Sequence, residues 1–156
     1  MTSAPMTELD GLPLLAGLSH DQRAALAGIA RHEDYEPGAR LFEEGRLADR
    51  CWVVTAGCAV VDTDIPGRGR TVVQSVGPGE LLGWSWLVPP YRWHFGASIA
   101  APTSAVVVDA LDLRRLADAD PVLGYRMSRI LVEALLNRLQ ATRIRLLDLY
   151  RHPDGD

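Results

Sequence analysis

Residues 37–60, PGARLFEEGRLADRCWVVTAGCAV, alternate short apolar runs with turn-forming pairs at close intervals. Pro37-Gly38 is a turn signal, 40–43 reads as a short strand, and Glu44-Gly45 opens a second turn. The apolar run 51–55 is a strand, Ala56-Gly57 a tight connection, and 58–62 the strand that follows. Downstream, 65–70 (IPGRGR) is a hairpin loop and 71–76 resumes the strand pattern. Two more strands are expected over 97–101 and 104–109, split by Pro102. Many short strands closed by glycine turns indicate a β-sandwich or barrel, not a βαβ fold.

The flanks are helical. Residues 1–11 carry no periodicity and are expected to be a flexible tail. Leu14, Leu15, Leu18, Leu26, Ile29 and Ala30 fall at helical spacings, with Ser19 as N-cap of a helix over 21–30. At the other end, 111–119 is a short helix, and Asp120-Pro121 then starts a long one. Apart from Gly124 near its start, nothing breaks that helix before Tyr150, a length of about 45 Å at 1.5 Å per residue. Ser128, Val132, Leu135, Leu139, Thr142, Leu146 and Leu149 recur in steps of four and three, the spacing of a coiled-coil seam. Leu131, Leu136 and Leu147 widen the stripe. Such a helix can lie on its own sandwich or pair with a partner helix, and its length favours pairing across 121–150.

Between sandwich and helix lies an aromatic segment. Trp84, Trp86, Tyr91, Trp93 and Phe95 are half of the ten aromatic residues of the chain. Glycines open the segment and Pro89-Pro90 breaks it. On spacing alone it fits a pocket, a contact surface or a plain aromatic core equally well.

Composition narrows the function classes. The chain has 156 residues, 47% hydrophobic and 23% charged, sufficient for one domain with a core of its own. A net charge of -4 argues against a nucleic-acid partner, which needs a basic surface. Cys51 and Cys58 lack metal-ligand spacing and are too few for a disulfide framework. The amino terminus lacks the pattern of a signal peptide, and no run reaches the ~20 apolar residues of a membrane span, so the expected compartment is the cytoplasm. His20, His32, His94 and His152 are scattered, and no nucleophile motif or phosphate loop is present. His20, His32 and His152 are expected at the surface, with only His94 in the aromatic segment. The expectation is a binding module without catalysis or metal.

The run from Pro37 through Phe42-Glu43-Glu44-Gly45, Ala48-Asp49 and Trp52-Val53-Val54-Thr55-Ala56-Gly57 resembles the cyclic-nucleotide-binding domain family. The resemblance covers residues 12–150 and implies amino-terminal helices, an eight-stranded jelly roll and a long carboxy-terminal helix. The nearest relatives look like bacterial catabolite-activator-type regulators, whose long helix pairs two subunits. Arg138-Leu139-Gln140-Ala141-Thr142 is similar to the end of that helix, where a threonine meets the adenine. Only residues 151–156 follow, which leaves no room for the winged helix-turn-helix of those regulators, so no DNA partner is expected.

The family's phosphate cassette runs roughly G-[DE]-x-x-G-E-x-x-L and then R-x-A-[ST]-[VI]. Gly79, Glu80, Gly83 and Leu87 fit its first half, and Ala97-Ser98-Ile99 its second. Trp84 stands where the ribose-binding glutamate belongs, and Phe95 where the phosphate-binding arginine belongs. Losing that guanidinium removes a charge-assisted bidentate contact, and a tryptophan fills space the sugar would use. The resemblance therefore implies a degenerate cassette of Gly79, Glu80, Gly83, Trp84, Ser85, Arg92, His94, Phe95, Ala97 and Ser98, facing Thr142. Three roles follow: a regulatory or accessory module acting through a homodimer or an enzyme partner; a cAMP or cGMP sensor with Arg92 as displaced phosphate ligand; or a small subunit of a redox enzyme such as an NAD(P)-linked hydrogenase.

Overall fold

The computed structural model describes residues 2–151. In chain order the elements are β1 (Thr2–Ser3), α1 (Met6–Asp10), α2 (His20–Ala27), β2 (Ala30–Tyr35), β3 (Arg40–Phe42) and β4 (Arg50–Ile65). They continue with β5 (Gly69–Val76), β6 (Leu81–Leu82), β7 (Gly96–Asp109), α3 (Ala110–Ala119) and α4 (Pro121–Arg151).

The ribbon formed by β4 and β7 is the axis of the fold. It pairs antiparallel from Arg50 opposite Asp109 to Asp62 opposite Gly96. One half of the ribbon is flanked by β2 on β7 and β6 on β4. The other half is flanked by β3 on β7 and β5 on β4. The two halves are joined by register shifts between Val54 and Ala59, where the ribbon bends. Gly57 sits in this bend at φ 91°, and a Cβ there would lie 2.2 Å from the Pro102 carbonyl oxygen. Buried Thr103 closes the bend by taking the Cys58 N–H at 3.1 Å and donating to Ala101 O at 2.8 Å. The chain is thus a β-rich jelly roll with flanking helices, as expected. It has seven strands among the described residues because Gly57 and Pro102 bend continuous strands where the sequence suggests separate ones.

Three expected boundaries move. Within the expected tail over 1–11, the described residues carry β1, which pairs with β2, and α1, whose Leu9 is fully buried. His32 helps to hold it, with Nδ1 2.8 Å from Glu8 Oε1 and Nε2 2.9 Å from Asp34 Oδ1. One buried leucine and an ion pair anchor the segment without any periodicity. The helix expected over 21–30 is α2, which starts on the expected Ser19 cap but ends at Ala27; Gly28 terminates it and Ala30 enters β2. Ser19 and Gln22 form a capping box. The expected tail over 151–156 begins with Arg151 still in α4, and residues 152–156, including His152, lie outside the described residues.

The α3–α4 pair carries the expected Asp120-Pro121 start, with the Leu123 N–H donating to Asp120 Oδ1 at 3.2 Å. Gly124 lets the two helices meet, since a Cβ there would lie 2.9 Å from the Ala117 carbonyl oxygen. Leu123 and Leu131 bury against the domain, with Met127, Ile130 and Ala134 half-buried beside them. Val132, Leu135, Leu139, Leu146 and Leu149 stay exposed. Of the sequence-read stripe, Leu131 packs on the domain and the other leucines and Val132 stay exposed, while the packing face is completed by Leu123, Met127, Ile130 and Ala134 outside it. No helix among the described residues is long and apolar enough to cross a membrane.

Candidate ligand-binding site

The aromatic segment is partly core and partly cavity. Trp86 and Trp93 are buried at 2% and 4% exposure, whereas Trp84 is half-buried and Phe95 exposed. Phe42 stacks on Trp93 at 3.9 Å between ring centroids and on Trp52 at 5.4 Å. Gly83 permits this packing: at φ 90° its missing Cβ would stand 2.9 Å from the Trp93 ring. Tyr91 instead faces outward under the Arg114 guanidinium, 4.8 Å from its ring.

The cavity beside this stack measures about 480 Å³ and lies between the cassette loop, the edges of β4 and β5, and α4. The cassette contributes Gly83, Trp84, Ser85, Trp93, His94 and Phe95; α4 contributes Arg138, Leu139 and Thr142. A second cavity of about 310 Å³, also bounded by Arg138 and Thr142, is lined by Gly79 and Glu80. The expected site residues therefore gather around Arg138, but in two compartments. Ala97, Ser98 and Arg92 line neither cavity. Ala97 is buried in β7, and Ser98 Oγ takes an Arg40 N–H at 3.5 Å. Arg92 donates to the Gly45 carbonyl at 3.0 Å, away from the cavity, so the displaced-arginine role lacks its geometry. The cassette loop contains one 3-10 turn, Ser85–Leu87. The Thr142 hydroxyl donates back to Arg138 O at 2.9 Å.

The polar groups around the site are unevenly satisfied. Arg40 forms a double contact with the Asp62 carboxylate and a second with Glu43, which holds its pKa above the usual arginine range. Gly96 makes room for it, since a Cβ there would lie 2.0 Å from Arg40 Nη2. Arg138 has far less. Its Nη2 donates to Leu81 O at 2.8 Å, with Glu80 Oε2 at 3.7 Å. Its Nη1 is buried with no hydrogen-bond partner, the one such side-chain atom among the described residues. Burial lowers its pKa from the usual arginine value, partly offset by Glu80. The Trp84 ring lies 5.0 Å from the guanidinium carbon.

Arg138 is the residue that sequence reasoning missed. It stands in the quoted run that ends at Thr142, but nothing local separates a buried arginine from a solvated one on an amphipathic helix.

A sequence profile of the cyclic nucleotide-binding domain matches residues 32–120. The chain belongs to that family. Over 135 residues it is 30% identical to glutaminase 1 of Bradyrhizobium diazoefficiens, covering 85% of this chain and 21% of that protein. It is 24% identical to a CRP-like cAMP-activated global transcriptional regulator of Mycobacterium tuberculosis, covering 87% of this chain and 59% of that one. The chain thus spans a minor to middling share of these relatives' length. Among solved structures, a cyclic nucleotide-binding domain from Methylobacillus flagellatus superposes with a TM-score of 0.78 at 21% identity, covering 92% of this chain and 80% of that one. At the positions aligned with the cassette the chain has Gly79 and Gly83, with Trp84 and Phe95 where the resemblance implies polar groups.

Proposed function

We propose that this domain is a non-catalytic regulatory module that senses a ligand other than a cyclic nucleotide and transmits binding through α4 to a second copy of the chain. The observation that carries this reading is the 480 Å³ cavity bounded by both the cassette and α4, with Trp84 and Phe95 at the two positions that would hold ribose and phosphate. A ligand there touches the long helix directly, and the bare stripe of Val132, Leu135, Leu139, Leu146 and Leu149 is the surface such a signal would alter. Cys51 and Cys58 are free thiols, with Cys51 pushed up to about 12 by burial, which suits a cytoplasmic protein.

Calorimetry with cAMP and cGMP should be silent up to millimolar concentration, and micromolar binding would restore the sensor role. Sedimentation should show a dimer that Leu146→Arg converts to a monomer. A chain that is monomeric before the substitution would redirect the α4 stripe to an enzyme partner, such as the redox enzyme expected from the sequence.

A further inference from the structure

A buried guanidinium normally has its N–H groups shared among carboxylates and carbonyls, because an unpaired charge out of water is strongly disfavoured. Arg40 follows that rule and Arg138 breaks it. The Arg138 side chain is 14% exposed, its Nη1 has no partner, and its nearest carboxylate stands 3.7 Å from Nη2. What covers the guanidinium instead is a flat aromatic ring, that of Trp84, at 5.0 Å. Trp84 itself stands at the start of a single 3-10 turn, Ser85–Leu87.

We propose that the larger cavity is built for a flat, apolar monocarboxylate, whose carboxylate takes the free N–H of Arg138 once the Trp84 ring lifts away. This deepens the regulatory reading of the same pocket and rests on it. Three features select the ligand class. Phe42, Trp84, Trp93 and Phe95 offer faces and edges to an aromatic or polyene body. Among the described residues Arg138 is the one arginine in the lining and the other basic group there, His94, is exposed, so one buried positive charge faces the cavity and a single carboxylate matches it. Arg40 and Arg92 are not available to add a second charge, being held by Asp62 and Glu43 and by the Gly45 carbonyl.

The carboxylate would fork onto the guanidinium, replacing the long Glu80 approach with a direct charge-assisted pair. Because Arg138 belongs to α4 and Trp84 to the cassette, the exchange changes how the two are tied together. Glu80, which accepts the Gly77 N–H at 3.2 Å, keeps the neighbouring turn in place throughout.

The test uses the full chain and three probes: phenylacetate, benzoate and 2-naphthoate, each against its neutral amide, by calorimetry. At least one acid should bind about tenfold or more tighter than its amide. Arg138→Gln should reduce that acid to the level of its amide, while Arg138→Lys keeps part of the preference. The change in tryptophan emission on binding should fall at least by half in Trp84→Phe, because Trp84 is the ring that moves while Trp93 stays packed in the lining. Equal binding of acid and amide, full acid affinity in Arg138→Gln, or silence of all three acids up to millimolar concentration would each overturn the proposal. If Arg138→Gln fails to fold, the acid-to-amide ratio in the unaltered protein still decides. The cyclic-nucleotide and sedimentation measurements are independent of these probes, so loss of the carboxylate proposal leaves the regulatory reading to stand or fall on its own.

Discussion

The wall of the fold built around Arg40, which lines neither cavity, and the wall of the site built around Arg138 both take a guanidinium largely out of water, and they do so in contrary ways. Around Arg40, Asp62 is 4% exposed, Glu43 closes the outer side, and Gly96 is reduced to a hydrogen to admit the group. The Phe42–Trp52–Trp93 stack continues this wall into the core. Around Arg138 there is one carbonyl, one distant carboxylate and one indole, and a nitrogen is left over. The first wall has the character of a structural joint between β3, β4 and β7. The second has the character of a contact awaiting completion.

The contrast is sharpest in the aromatics. Trp93→Ala removes a buried ring that packs on Phe42 and fills the space above Gly83, and it should destabilise the domain by about 3–5 kcal/mol. Trp84→Ala removes a half-buried ring from the cavity edge and should cost less than about 1 kcal/mol. Urea unfolding of the two variants measures both. A loss at Trp84 as large as that at Trp93 would make the cavity edge part of the core and end the distinction.

Next in size are the charges. Asp62→Asn leaves Arg40 with the more exposed Glu43 as its one carboxylate partner, and a loss of about 2–3 kcal/mol is expected. Arg138→Met replaces an incompletely paired cation with an apolar chain of similar length, so the ligand-free protein should be unchanged or up to about 1 kcal/mol more stable. Matching losses in both variants would show Arg138 to be as structural as Arg40.

Much of this architecture is legible in the sequence, because turn pairs and alternation report strands directly. The run over residues 37–60 yields the turns, the strands and the family. Where the chain bends without breaking, local pattern is not enough: Ala56-Gly57 and Pro102 look like strand ends, and only their cross-ribbon partners show a bulge. The amino-terminal segment has too few apolar residues to show a period, although the pairing of β1 with β2, buried Ala4 and Leu9 and the His32–Glu8 contact hold it in place. Within the cassette, motif alone gives the positions of Gly79, Gly83, Trp84 and Phe95 and shows two aromatic residues where the resemblance implies polar ones. Which tryptophan packs inward is not visible, because Trp84 and Trp93 differ only in what faces them. Arg138 is harder still, since its burial depends on Leu81 and Trp84, more than fifty residues away along the chain.

The smallest effect separates the two walls by pH. Glu43 titrates below the usual carboxylate range, chiefly because it accepts hydrogen bonds from Arg40. A carboxyl lowered on folding contributes stability that is fully present above its unfolded pKa of about 4.3. That contribution is lost as pH falls through the lower folded value, when Glu43 takes up a proton and the ion pair with Arg40 disappears. Carbon-13 NMR of the Glu43 carboxyl should therefore report a depressed midpoint that returns to the ordinary range in Arg40→Gln. The same resonance should not move in Arg138→Met, since Glu43 makes its contacts on the Arg40 side. Glu43 is exposed on one side, so the energetic share is small and solvent screens it, but the position of the midpoint is a direct readout of which wall holds its guanidinium. A midpoint that shifted in both variants would mean that the two arginines share one electrostatic network, and the division between joint and open contact would have to be redrawn.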